Sequence, residues 1–220
     1  MKRLIIVALL VAGFSSLFHS NVRAQDTPKV LLFIREAHLS WGLPLEKEVR
    51  VMKKILEQSG FNVFITTVSG EPLSSAGSIR VTPDLKLSDI EVADYAGFIL
   101  PNMGVGSSPY RLVAPEAVSM VKKAAADGKP VAAQRGSVLT LAKAGVLEGK
   151  KYAFKYDLGV NWYKNEFPDC KGAVYSGTGV VRDGNIITSG VCPAAAKFLG
   201  LNDGTEELTR ALIAAIQDNK

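Results

Sequence analysis

Gly128-Lys129-Pro130-Val131-Ala132-Ala133-Gln134-Arg135-Gly136-Ser137 leaves a turn at Asp127-Gly128, runs apolar for a few residues and turns again at 134–137. A short apolar run between turn residues suits a parallel strand buried on both faces. Apolar residues at helical spacing follow (Val138, Leu139, Leu141, Ala142), with a stop at Gly145 or Gly149. Strand, sharp turn and helix form the setting in which α/β enzymes mount a nucleophile. The residue at the top of this turn is Arg135, and a guanidinium is not a nucleophile at any accessible pH.

The same grammar repeats on either side. Residues 29–34 (Lys-Val-Leu-Leu-Phe-Ile) read as a first buried strand. Residues 35–44 form a loop holding His38 and Trp41. Leu45, Val49, Met52, Ile55 and Leu56 mark a helix over 45–59, stopped by Gly60. A second strand spans 61–67, a Gly/Ser/Pro-rich loop 69–81, and a third buried strand 95–101. The loop 102–109 leads to a helix over 115–126 with Pro115 at its start. Beyond Lys150 the pattern weakens. Short strands are expected at 172–175 and 179–182, Asp183-Gly184 turns a hairpin into 185–189, and helices cover 193–199 and 205–217. Strands alternating with helices predict an α/β fold with an open, mostly parallel sheet covered on both faces. Ligands on such sheets bind beyond the strands' C-terminal ends. The loops after Ile34, Leu100, Ala133 and Ser189 are therefore the place to look.

The chain has 220 residues, 47% of them hydrophobic, which suits one α/β domain with a sizeable core. Its start, Met1-Lys2-Arg3 before the apolar run 4–13, reads as an export signal. Val22-Arg23-Ala24 offers a cleavage site before Gln25. This predicts a signal peptide over 1–24, a single domain over 25–220 and a periplasmic or secreted product. A membrane anchor is the other reading, but the run is shorter than the ~20 residues that span a bilayer. Removing 1–24 takes Lys2, Arg3 and Arg23 and no acid, so the formal charge falls from +5 to +2. The basic balance thus belongs largely to the export signal and points neither to nucleic acid nor, after cleavage, to a membrane. One His (His38) and two Cys (Cys170, Cys192) remain, too few for a zinc site built of several such ligands. No metal or cofactor is expected.

Four fragments in order carry a family resemblance: Ala-Asp-Tyr-Ala-Gly-Phe-Ile-Leu-Pro at 93–101, Gly-Lys-Pro-Val-Ala-Ala at 128–133, Leu-Ala-Lys-Ala-Gly-Val-Leu-Glu-Gly-Lys-Lys at 141–151 and Val-Val-Arg-Asp-Gly-Asn-Ile-Ile-Thr-Ser at 180–189. They resemble the ThiJ/PfpI family of the class I glutamine amidotransferase-like superfamily, from Lys29 to about Gln217. The resemblance implies a flavodoxin-like three-layer α/β/α sandwich and a homodimer. It also implies activities among glyoxalase-like and deglycase-like chemistry, peptidase claims, isonitrile hydration and redox-linked chaperoning. In the family pattern Val-Ala-Ala leads to an aliphatic residue, a nucleophilic Cys, often a His, then Gly. Here those positions read Gln134, Arg135, Gly136 and Ser137. The glycines after the third strand read Asn102-Met103-Gly104, and the family's acid falls at Leu45 or Glu46.

Several readings stay open. Arg135 is either an anion-binding cation, with Gln134, Gly136, Asn102 and Gly104 around it, or a plug paired with Glu46 or Glu48. Cys192 is either a relocated nucleophile at a helix N-terminus, served by His38 or Glu46, or half of a disulfide with Cys170. Ser137 is expected as an N-cap or first-turn residue. The functional expectation is an exported ThiJ/PfpI-like protein without the family's Cys chemistry, binding a small anionic ligand or partner at the sheet's C-terminal edge. The alternatives are a hydrolase or lyase using Cys192 and a chaperone-like structural dimer.

Overall fold

The structure is a computed structural model that describes residues 27–36, 45–74, 79–102, 113–155, 157–158 and 172–219. β1 (Lys29–Phe33) is followed by a π-helical turn (Leu45–Val49) that runs into α1 (Arg50–Gln58). β2 (Asn62–Thr67) comes next, then the two-residue strands β3 (Leu73–Ser74), β4 (Arg80–Val81) and β5 (Leu85–Lys86). β6 (Gly97–Leu100), α2 (Pro115–Ala126), β7 (Val131–Gln134) and α3 (Val138–Lys143) make up the middle of the chain. β8 (Lys151–Tyr152), β9 (Val174–Tyr175), the hairpin β10 (Val180–Asp183) and β11 (Ile186–Ser189), α4 (Pro193–Leu199) and α5 (Thr205–Asp218) complete it.

Seven strands form the main sheet in the order β10-β11-β7-β6-β1-β2-β5. Every neighbouring pair is parallel except β10 with β11. Counting only the five long parallel strands, the order is second, first, third, fourth, fifth, the flavodoxin-like winding. The order reverses between β1 and β6, so the crevice beyond the ends of those two strands is where such a sheet takes ligands.

The continuous apolar runs are explained by burial on both faces. Leu31 and Phe33 of β1 join Phe98, Leu100, Val131 and Ala133 under α2 and α3. Val30, Leu32 and Ile34 join Ile99, Ala132 and Ile187 under α1 and α5. Each Val, Leu, Ile or Phe among them contributes about 1.5–3 kcal/mol on leaving water, and the alanines less. Two small pieces depart from expectation. The loop expected over 69–81 carries the short antiparallel pair β3–β4. β8 and β9 pair in parallel as a second small sheet. Both are too short to leave a period in the sequence.

Candidate functional site

β7 ends in the sharp turn that the sequence predicts. Arg135 stands at its apex with φ 44°, and among the described residues it is the one non-glycine at positive φ. A left-handed backbone at such a residue costs about 1–3 kcal/mol and persists where the surroundings enforce it. The surroundings here are hydrogen bonds on both flanks. On one side Gln134, fully buried, donates from Nε2 to the Val191 carbonyl at 2.9 Å and to Thr205 Oγ1 at 3.0 Å. Thr205 Oγ1 in turn donates to Asp203 Oδ1 at 2.7 Å. On the other side the Gly136 N–H donates to Asn102 Oδ1 at 2.9 Å, and Ser137 Oγ donates to the Pro101 carbonyl. The Arg135 side chain is half-buried and donates from Nη1 to the Gly190 carbonyl at 3.3 Å. Among the described residues it forms no ion pair.

Asn102, at the end of β6, joins three elements at once. Its backbone N–H donates to Glu48 Oε2 at 2.6 Å, its Oδ1 accepts from the elbow, and its Nδ2 lies 3.2 Å from Cys192 Sγ. Glu48 comes from the π-helical turn and is 1% exposed. Burial drives its carboxyl well above the usual range, with the Asp203 charge adding to the rise. The Asn102 N–H and Arg135 pull the other way without reversing it. Cys192 is also 1% exposed and carries a free thiol. Burial pushes that thiol up, and the Glu48 charge raises it further, against the Ala195 and Ala194 amides and Arg135. Arg35, at the end of β1, is a second buried cation on this edge. Burial lowers its pKa to about 10, so it stays charged at neutral pH.

The sequence profile of the DJ-1/PfpI family matches residues 42–201. The chain belongs to the DJ-1/PfpI family. It is 28% identical over 207 residues to an uncharacterized protein of Methanocaldococcus jannaschii, covering 91% of this chain and 95% of that one. It is 29% identical over 144 residues to a deglycase of Pyrococcus horikoshii, covering 62% of this chain and 77% of that one. A ThiJ/PfpI domain protein from Brachyspira murdochii superposes with a TM-score of 0.64 at 15% identity, covering 86% and 96% of the two chains. Drosophila melanogaster DJ-1beta superposes with a TM-score of 0.56 at 21% identity, covering 85% and 98%. The two solved structures share the fold.

Within this family fold the predicted site residues separate into groups. Arg135, Gly136, Gln134, Asn102 and Cys192 are brought together. Gln134 and Gly136 do not offer free groups, because the Gln134 amide braces the elbow and the Gly136 N–H is satisfied by Asn102. Glu46 points to solvent, and Leu45 is packed in the core. The acid at the site is Glu48, two residues beyond Glu46 and three beyond Leu45. It does not plug the site by pairing with Arg135; the Asn102 N–H is its partner. Cys192 is free where a bridge to Cys170 was one expectation; its sulfur faces Asn102. Burial pushes its thiol up, outweighing the few amides at the start of the short α4. Ser137 holds the N-cap position of α3, as expected, but its Oγ donates to the Pro101 carbonyl and accepts no amide hydrogen bond from the helix. His38, Gly104, Cys170 and residues 1–24 lie outside the described residues.

The sequence reading offers Glu48 only as a partner for Arg135 and sets the family's acid at Leu45 or Glu46. The signal was present: Leu45, Glu48, Met52 and Ile55 recur at three- and four-residue steps, which sets Glu48 on the apolar stripe. Asp203 and Thr205 gave no such signal, because they reach the site only through the fold.

Proposed function

We propose that this chain is an exported member of the DJ-1/PfpI family that binds a small anionic ligand at Arg135 and does not use the family's thiol chemistry. One observation carries the reading. The elbow apex, strained at φ 44°, presents a half-buried guanidinium that pairs with no acid among the described residues. Glu48 is near enough to act on Arg135, yet its burial favours the protonated form, which leaves the cation uncancelled. A guanidinium has five N–H donors, and the bond to Gly190 engages one nitrogen.

The test is a thermal-shift titration of the intact protein with small anions. Wild type is expected to give a saturable rise in Tm, as binding to the native state requires. Arg135→Gln is expected to abolish it, and Arg135→Lys to weaken it by losing the planar fork. An equal response from wild type and Arg135→Gln sinks the proposal.

The similarity to a deglycase keeps a thiol-dependent hydrolase or lyase in view, with Cys192 as its nucleophile. Burial and a raised pKa disfavour it, since the thiolate is the reactive form. Cys192 is therefore expected to resist iodoacetamide near neutral pH in the folded protein and to label readily once unfolded. Peptide mapping scores it apart from Cys170, and rapid labelling in the native state would return the enzyme reading to first place.

A further inference from the structure

Arg135 is bracketed by two acids, each tied to it through one of its chain neighbours. Gln134 leads through Thr205 to Asp203, and Gly136 leads through Asn102 to Glu48. Neither acid closes to ion-pair distance of the guanidinium. Asp203 is anchored by two bonds from Thr205, the backbone N–H at 3.1 Å and Oγ1 at 2.7 Å, so its charge is held at a fixed place. Arg135 is the cation whose field reaches both Glu48 and Cys192. Among the described residues the edge thus offers one half-buried positive charge without an ion pair, beside a fixed negative one and a buried carboxyl. One negative charge on a ligand is welcomed there, and a second meets Asp203.

We infer that the ligand is a small monocarboxylate, and that the charge of Asp203 sets this preference by disfavouring doubly charged anions. The inference rests on the anion-binding reading above and adds the ligand class to it. Shape agrees with charge, because the guanidinium fork matches a planar carboxylate with two parallel hydrogen bonds. The planar group needs two N–H donors in one plane, and the nitrogens not used on Gly190 supply them.

Three probes separate charge from shape: acetate (planar, one charge), methanesulfonate (tetrahedral, one charge) and sulfate (tetrahedral, two charges). Calorimetric titration of the intact protein is expected to rank acetate first, with sulfate roughly tenfold weaker, the scale of one fixed charge within a Debye length. Methanesulfonate is expected closer to acetate than to sulfate. Asp203→Asn keeps the acceptor that Thr205 uses while removing the charge. It is expected to improve sulfate several-fold and acetate about half as much on a logarithmic scale, and its unchanged Tm checks the fold. Sulfate binding as tightly as acetate, or an Asp203→Asn effect equal on both anions, overturns the inference while leaving the anion site standing. Methanesulfonate as weak as sulfate also overturns it, since shape and not charge would then discriminate. No binding of any probe removes the anion-binding reading and this inference together.

Discussion

Glu48→Gln is expected to stabilise the protein near neutral pH by about 2 kcal/mol, because it removes the need to bury an ionisable carboxyl while keeping its shape. The Gln Oε1 still accepts the Asn102 N–H that Glu48 Oε2 accepts now at 2.6 Å. The pH dependence makes the claim specific. Burial raises the folded-state pKa well above the ordinary value of 4.5. The folded protein therefore holds this proton more tightly than the unfolded chain. Stability from the group is fully present below about 4.5 and is lost as pH rises toward the folded pKa. Through that window the slope approaches about 1.4 kcal/mol per pH unit. Denaturation midpoints measured across pH for wild type and variant are expected to converge in acid and separate as pH rises. Other groups titrate equally in both proteins, so the difference isolates Glu48. Parallel curves would mean that Glu48 is ionised in the fold and already neutralised by Arg135, which would also undercut the free cation at the elbow.

The parts of this molecule that declare themselves in sequence are those governed by local rules. The buried strands at Lys29–Phe33, Gly97–Leu100 and Val131–Gln134 show as apolar runs because both faces of each are covered. The elbow shows because a strand, a tight turn and an apolar helix are adjacent in the chain. The hairpin at Asp183-Gly184 shows because Gly184, at φ 61°, takes the left-handed turn position. What stayed hidden depends on residues far apart meeting. Asn102 bonds Glu48 across 54 positions and approaches Cys192 across 90. Gln134 meets Thr205 across 71. No spacing rule links such pairs, and so a polar residue reads as ligand-facing when it is in fact spent on bracing. Gln134 and Gly136 are spent in that way, and the burial of Cys192 comes from the fold and not from its neighbours in the chain. Register was lost at the acid for a related reason. The first turn of the helix is π-helical, and its wider winding shifts which side chain faces inward.

Gly190→Ala is expected to be the most damaging single change near the site, lowering stability by about 3 kcal/mol or more. A Cβ built at Gly190 would lie 2.6 Å from both the carbonyl carbon and oxygen of Phe154 and 3.0 Å from Thr178 Cα. These are backbone atoms, so no side chain can rotate away to make room. The three segments are also fastened together. Gly190 N–H donates to Thr178 O at 2.9 Å, and Phe154 N–H donates to Gly177 O at 3.1 Å. Phe154 is itself fully buried in the core beneath α2 and α3. Relief therefore requires the link between β11 and α4 to move outward. That movement carries away the Gly190 carbonyl that holds Arg135 and the Val191 carbonyl that holds Gln134. The expected result is a drop in Tm of roughly 6–12 °C for a chain of this size, with anion affinity falling alongside it. Gly179→Ala is the matched control, since nothing lies within 4 Å of its added Cβ, and it is expected to leave both quantities near wild type. If Gly190→Ala folds with wild-type stability, the close approach of β11 to Phe154 is wrong. If it is destabilised yet binds anions unchanged, Arg135 is positioned by the turn itself and not by the carbonyl it touches.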